Sequence, residues 1–138
     1  MASIPVEFQD LFERGAPVQL ATVLPDGMPH VTPVFAEYDG EHVLFNTMRG
    51  RRKERNIRNN PNVGVSVTDP DDPYRYLSIS GEVVGVTEDG AVEHVHHIAR
   101  KFMDVPEYPN LDDEPNPRVV VRIRPVQVRA IDEPERSD

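Results

Sequence analysis

VQLATVLPDGMPHVTPVFAEYDGEHVLFNT, residues 18–47, decides the fold. Residues 18–24 are rich in strand formers and end at Pro25-Asp26-Gly27, a strong turn signal. Residues 29–38 read as a second strand interrupted by Pro33, which cannot donate to a ladder and therefore implies an edge or a bulge. Asp39-Gly40 marks another turn, and HVLFNT (42–47) is a third strand. These three segments form an antiparallel meander. The pattern resumes with VGVSVTD (63–69), the loop PDDP (70–73), a long strand over 74–87 with Gly81 at a bulge or bend, and RVVVRIRPVQVRAID (118–132). Six or seven hairpin-linked strands with inserted helices favour a mainly β barrel over an open sheet.

Two or three helices are predicted around these strands. Residues 4–14 place Val6, Leu11 and Phe12 at helical spacing, and KERNIRNN (53–60) reads helical up to Pro61. Residues 88–103 form the clearest helix, with Asp89 as its cap and Val92, Val95, Ile98, Ala99 and Phe102 along one side. Residues 104–117 are a Pro- and Asp-rich loop, where a solvent-exposed connector is favoured over a lid on a groove. Residues 1–131 are expected to make one domain and residues 132–138 a disordered tail.

The composition, 38% hydrophobic with mean hydropathy −0.52, is that of a soluble globular protein. No run of about 18 apolar residues is present, so no membrane span is expected. The N-terminal residues lack a secretory layout, which makes the cytoplasm the expected compartment. The absence of cysteine excludes disulfides and thiolate metal sites. A net charge of −9 argues against general nucleic-acid binding.

Against that acidic background stands NTMRGRRKERNIRNNP (46–61). It gathers Arg49, Arg51, Arg52, Lys53, Arg55 and Arg58, six of the chain's fifteen Lys+Arg, beside one acid, Glu54. Arg51, Arg52 and Lys53 fall on the first turn of the predicted helix, the positive end of its dipole, where cations are unfavourable unless an anion sits there. Gly50 would permit close backbone approach, and Asn46 and Thr47 at the strand end offer neutral donors. An anion site is therefore favoured over a solvated basic helix.

The order LATVLPDGMPHVTPVFAEYDGEHVLFNTMRGRRKERNIRNNPNVGVSV, then DPYRYLSISGEVV, then RVVVRIRPVQVRA, resembles the pyridoxamine 5'-phosphate oxidase-like split β-barrel superfamily. Within it, the sequence is most similar to the oxidoreductases that use the deazaflavin coenzyme F420. The resemblance covers roughly residues 8–131 and implies a homodimer with flavin-type cofactors in grooves between the subunits. It implies that His30, Val31, Thr32, Pro33 and Val34 lie along the cofactor ring, with Asn46 and Thr47 near the ring or ribityl chain. Arg51, Arg52 and Lys53 would take the phosphate, Arg55 and Asn56 would bind or brace the loop, and Tyr76, with Tyr74, would contribute from a later strand. Hydride transfer to or from a small unsaturated substrate is the implied chemistry, with no side chain nominated as acid or base. FMN, which shares the ring, ribityl and phosphate portion, is the alternative cofactor, and non-catalytic flavin binding or storage is the alternative role. The anionic tail of F420 gives Arg49, Arg55 and Arg58 a use. A pyridoxal-phosphate substrate site is not evident, so pyridoxamine phosphate oxidation is not expected.

EHVHH (93–97) places His94 and His97 three residues apart on one helix face, but no third ligand is indicated. A solvated polar face is favoured there, and no metal is expected.

Overall fold

The structure is a computed structural model that describes residues 2–15 and 17–132. Seven strands follow the predicted alternation: β1 (Val18–Val23), β2 (Pro29–Val34), β3 (Ala36–Tyr38), β4 (Val43–Met48), β5 (Asn62–Asp69), β6 (Asp72–Thr87) and β7 (Arg118–Asp132). All pairings are antiparallel, in the order β2-β1-β5-β6-β7-β4-β3. Pro33 does lie on an edge strand, but the strand breaks at Phe35, two residues later than the proline suggested.

That break determines the shape. β2 and β3 occupy opposite ends of the strand order, yet only Phe35 separates them in the chain. One intervening residue spans at most about 7 Å between flanking Cα atoms. The sheet must therefore curl until its two edges meet at Phe35, closing a split barrel through a covalent corner instead of a ladder. Leu20, Val43, Phe45, Leu77, Val119, Val121 and Ile123 fill the interior and are inaccessible to solvent.

The predicted bulge at Gly81 is present, with register shifts between Ser80 and Gly81 and between Val83 and Gly85. A side chain at Gly81 would have its Cβ 2.6 Å from Ile123 Cγ2, so the bend exists because only glycine lets β6 approach β7 there.

The N-terminal segment Val6–Glu13 winds as a 3-10 helix, tighter than the predicted α-helix, and buries Leu11 and Phe12. Arg75 on β6 fastens it by contacts to Asp10 at 2.6 Å and to the Glu7 carbonyl at 2.8 Å. Helix α1 spans Arg52–Asn59, and α2 spans Ala91–Ile98 before widening into a π-turn over Ala99–Met103. Asp89 does not cap α2. Gly90 holds the N-cap position in a left-handed conformation, and no side chain caps it. Val92 is half exposed, leaving Ala91, Val95, Ile98 and Ala99 as the buried face. Phe102 stacks on Phe35 with ring centroids 5.0 Å apart, fixing this helix over the barrel corner.

β7 runs through Asp132, the first residue of the expected tail, and the rest of that tail, 133–138, lies outside the described residues. No helix among the described residues is long and apolar enough to cross a membrane.

Candidate functional site

The corner at Phe35 opens into a pocket of about 120 Å³. Its polar lining is Asn46, Thr47, Arg51, Lys53 and Arg118. Pro33, Val34 and Phe35 from the corner, Val95 and Ile98 from α2, and Met103 supply the apolar lining. Tyr108, from the loop after α2, completes it.

The basic stretch sorts into two groups once folded. Glu54, fully buried at 0% exposure, receives the Arg58 guanidinium as a fork, Nε at 2.7 Å and Nη2 at 2.9 Å. Arg49 approaches the same carboxylate at 3.5 Å and Glu88 at 2.8 Å. The Gly50 N–H donates to Glu54 Oε1 at 2.8 Å, so the carboxylate also reaches back over the start of the helix, where negative charge suits the dipole. Arg49 and Arg58 thus serve the loop's own architecture. Gly50 turns with φ of 91°, a conformation that favours glycine, and a Cβ there would merely touch the Asn116 side chain at 3.4 Å.

Arg51 and Lys53 line the pocket and have no acidic partner in an ion pair among the described residues. Arg51 takes the N-cap position of α1 and makes no side-chain cap bond. Burial, together with the charges of Arg51 and Arg118, holds the Lys53 ammonium below the ordinary lysine pKa. Like charges converging in a small concavity are the electrostatic complement of an anion.

Arg118 was missed by the sequence reading. It is 5% exposed and stands at the first position of β7, opposite Met48 at the end of β4. Glu114 holds its Nε at 2.8 Å and Nη2 at 2.6 Å, and the Tyr108 hydroxyl accepts a further bond from Nη2 at 2.5 Å. The Tyr108 ring lies 4.4 Å from the guanidinium carbon. These contacts bind Tyr108 and Glu114 to the pocket wall, while most of residues 104–117 are exposed, as expected of a connector.

Thr47 is 1% exposed, and its Oγ1 has no hydrogen-bond partner among the described residues. Buried polar atoms are seldom left unpaired, so this hydroxyl marks a place where a ligand or water atom belongs. His30 Nδ1, Thr32 Oγ1 and Asn56 Oδ1 are also buried and unpartnered. They belong to a neighbouring polar cluster, in which His30 is registered opposite Thr22 and Asn56 Nδ2 donates to Thr22 Oγ1 at 3.0 Å. These four orphaned atoms sit on residues singled out from the resemblance, and the two others among the described residues, Glu54 Oε2 and His94 Nε2, lie in ion-pair contact with Arg58 and Glu37.

The remaining predicted residues separate. Arg52 and Arg55 are exposed and do not line the pocket, and Val31 is 58% exposed on the other face of β2. Tyr76 lines a different groove with Ser78, Arg129 and Ile131, while Tyr74 is exposed. Asn46 lines the pocket, but its amide nitrogen is committed to the Ala91 carbonyl at 2.9 Å and His94 Nδ1 at 3.1 Å. His94 and His97, expected on a solvated face, both point at Glu37, at 3.3 and 2.9 Å, and Lys101 joins them at 2.9 Å. The hydrogen bond from His94, with those from Lys101 and His97, holds the Glu37 carboxyl far below the usual carboxylate range. Among the described residues no group of three or more His, Cys, Asp or Glu could hold a metal ion.

A curled antiparallel sheet closed at a covalent corner, with its pocket at that corner, is a split β-barrel. The sequence matches the pyridoxamine 5'-phosphate oxidase family over residues 4–132, and the chain belongs to that family. A solved structure described as an F420 reductase is 35% identical and superposes with a TM-score of 0.81, covering 91% of this chain and 98% of the other. A conserved hypothetical protein from Mycobacterium tuberculosis is 27% identical with a TM-score of 0.72, over 96% and 86% of the two chains. General Stress Protein 26 from Bacillus anthracis, at 23% identity, TM-score 0.67 and 91% coverage of each chain, shares the fold. No curated protein matches the sequence.

Proposed function

We propose that this chain is an oxidoreductase that transfers hydride between coenzyme F420 and a small unsaturated substrate. The observation that carries the proposal is the meeting of Arg51, Lys53, Arg118 and the unpaired Thr47 hydroxyl in one pocket with apolar walls. That donor set suits a phosphate joined to a flat apolar ring. The choice of F420 over FMN rests on similarity to the F420 reductase structure, because the donors suit either phosphate.

In this scheme Lys53 and Arg51 bind the phosphate, with the first turn of α1 behind them. Thr47 donates to the ligand, and Pro33, Val34 and Phe35 form the surface against which the ring lies. The bound cofactor supplies the hydride chemistry. The protein contributes orientation and, through the walls formed by Val95, Ile98 and Met103, exclusion of water. A second copy of the chain is proposed to cover the groove of about 360 Å³ along β1, β5 and β6, where Val126 is 48% exposed and Val31 on the adjoining β2 is 58% exposed.

The test is turnover: purified protein with reduced F420 or reduced FMN, assayed against quinones and enones. Oxidation of F420 coupled to substrate reduction is the expected outcome. Turnover with FMN alone transfers the proposal to the flavin, and saturable binding of either without turnover makes the chain a carrier.

A further inference from the structure

We infer that Arg118, held in place by Glu114, is a direct anion ligand of the pocket, and that the pocket takes a ligand group carrying two negative charges. This rests on the reading of the pocket as a cofactor-phosphate site and adds to it a residue, a charge requirement and a role for the 104–117 loop.

The donors of Arg118 can be accounted for one by one. A guanidinium has five N–H groups. Nε and Nη2 face Glu114, and Nη2 also faces the Tyr108 hydroxyl, which uses three of the five. Nη1 has a single long contact, 3.5 Å to Asn46 Oδ1. That oxygen is fixed in place, because the other end of the amide donates to the Ala91 carbonyl and to His94 Nδ1. The least satisfied edge of Arg118 is therefore held at a pocket wall shared with Arg51 and Lys53.

Charge gives the same answer. Arg51, Lys53 and Arg118 bring three positive charges to the pocket, and Glu114, paired with Arg118, returns one negative charge. Two positive charges are left over. A terminal phosphate, at about −1.5 to −2 near neutral pH, supplies their complement. A phosphate that continues into an acidic tail does so as well, and FMN and F420 represent these two cases. A lone carboxylate does not. On binding, the anion takes Nη1 of Arg118 and shares the guanidinium with Glu114, which draws the loop wall onto the ligand.

The experiment measures dissociation constants for FMN and F420 by absorbance or fluorescence titration of the full chain and four variants. Arg118→Met should weaken binding by at least about tenfold, the worth of one charge-assisted hydrogen bond. Glu114→Gln should tighten it by about threefold or more, since a carboxylate no longer repels the bound anion. Lys53→Ala serves as reference for the phosphate site itself. Loss of a nearby negative charge strengthens anion binding even where Arg118 is purely structural, so Glu114→Gln is also made in the Arg118→Met background. A gain that disappears there belongs to Arg118, and an equal gain in both backgrounds overturns its direct role. If Lys53→Ala abolishes binding while Glu114→Gln leaves it unchanged or weaker, the role of Arg118 is overturned and the cofactor site stands. If the unaltered protein binds neither compound, both fall. Should Arg118→Met fail to fold, Arg118→Lys takes its place: it keeps the charge but loses the guanidinium donors, so weaker binding supports the direct role and unchanged affinity overturns it.

Discussion

Replacing Glu54 with Gln sets two consequences of the structure against each other. The carboxylate is buried and receives the Gly50 N–H at 2.8 Å, the Arg58 fork at 2.7 and 2.9 Å, and Arg49 at 3.5 Å. Glutamine retains one oxygen for Gly50 but turns an NH2 group toward arginine donors. Breaking a buried ion pair costs about 3–5 kcal/mol when the partner charge stays buried. Here the Arg58 and Arg49 side chains are 54% and 34% exposed and can rehydrate, so the cost falls to about 2 kcal/mol, near that of one charge-assisted hydrogen bond. Urea denaturation should show that loss as a lower midpoint at unchanged slope. Affinity for FMN or F420 separates geometry from charge. Removing a negative charge from the basic loop would by itself strengthen anion binding. The structure instead predicts weaker binding, because Glu54 anchors Gly50 and Arg49 and thereby aims Arg51 and Lys53. Stability within about 0.5 kcal/mol of the unaltered protein, or tighter cofactor binding, would refute the role given to Glu54.

Gly81→Ala should destabilise the barrel by about 1–3 kcal/mol, seen as a lower melting temperature, since the new Cβ would meet Ile123 Cγ2 at 2.6 Å and the Arg124 carbonyl at 3.1 Å; an unchanged melting temperature would show that the bulge yields freely. Lys53→Met should raise the melting temperature of the ligand-free protein by relieving buried like-charge crowding, and should also remove the stabilisation that FMN or F420 confers; a lower ligand-free melting temperature would count against the crowding. The Glu37 carboxyl, ordinarily near 4.5, is held far lower by His94, Lys101 and His97. The unfolded chain therefore binds this proton first on acidification, so the stability from Glu37 is complete above about pH 4.5 and is lost as pH falls toward the folded value. Denaturation midpoints for Glu37→Gln should fall less steeply than those of the unaltered protein below that pH, and parallel curves would contradict the assignment.

Strand alternation and turn chemistry were legible because they are local. The Pro25-Asp26-Gly27 turn, the edge position of Pro33 and the bulge at Gly81 each follow from what one residue can do. The break at Phe35 was not legible, because barrel closure imposes it and no local preference marks it. The basic stretch was visible as charge, but its division into anchored and pocket-facing cations depends on Glu54. That acid precedes Arg58 by four residues, a spacing that signals pairing on a helix. Arg118 gave no such signal. It looks like an ordinary polar residue opening an apolar strand, and only the pairing of β4 with β7 brings it to the pocket. Likewise His94 and His97 acquire their partner from β3, more than fifty residues away in the chain.

The most direct measurement is a titration of the purified protein with F420 and, separately, with FMN, followed by cofactor fluorescence and repeated with Lys53→Ala and Arg51→Ala. Saturable binding of F420 that each substitution weakens at least about tenfold is the expected result. Failure of both cofactors to bind, or binding that ignores both substitutions, would show that the pocket at the barrel corner does not hold a cofactor phosphate.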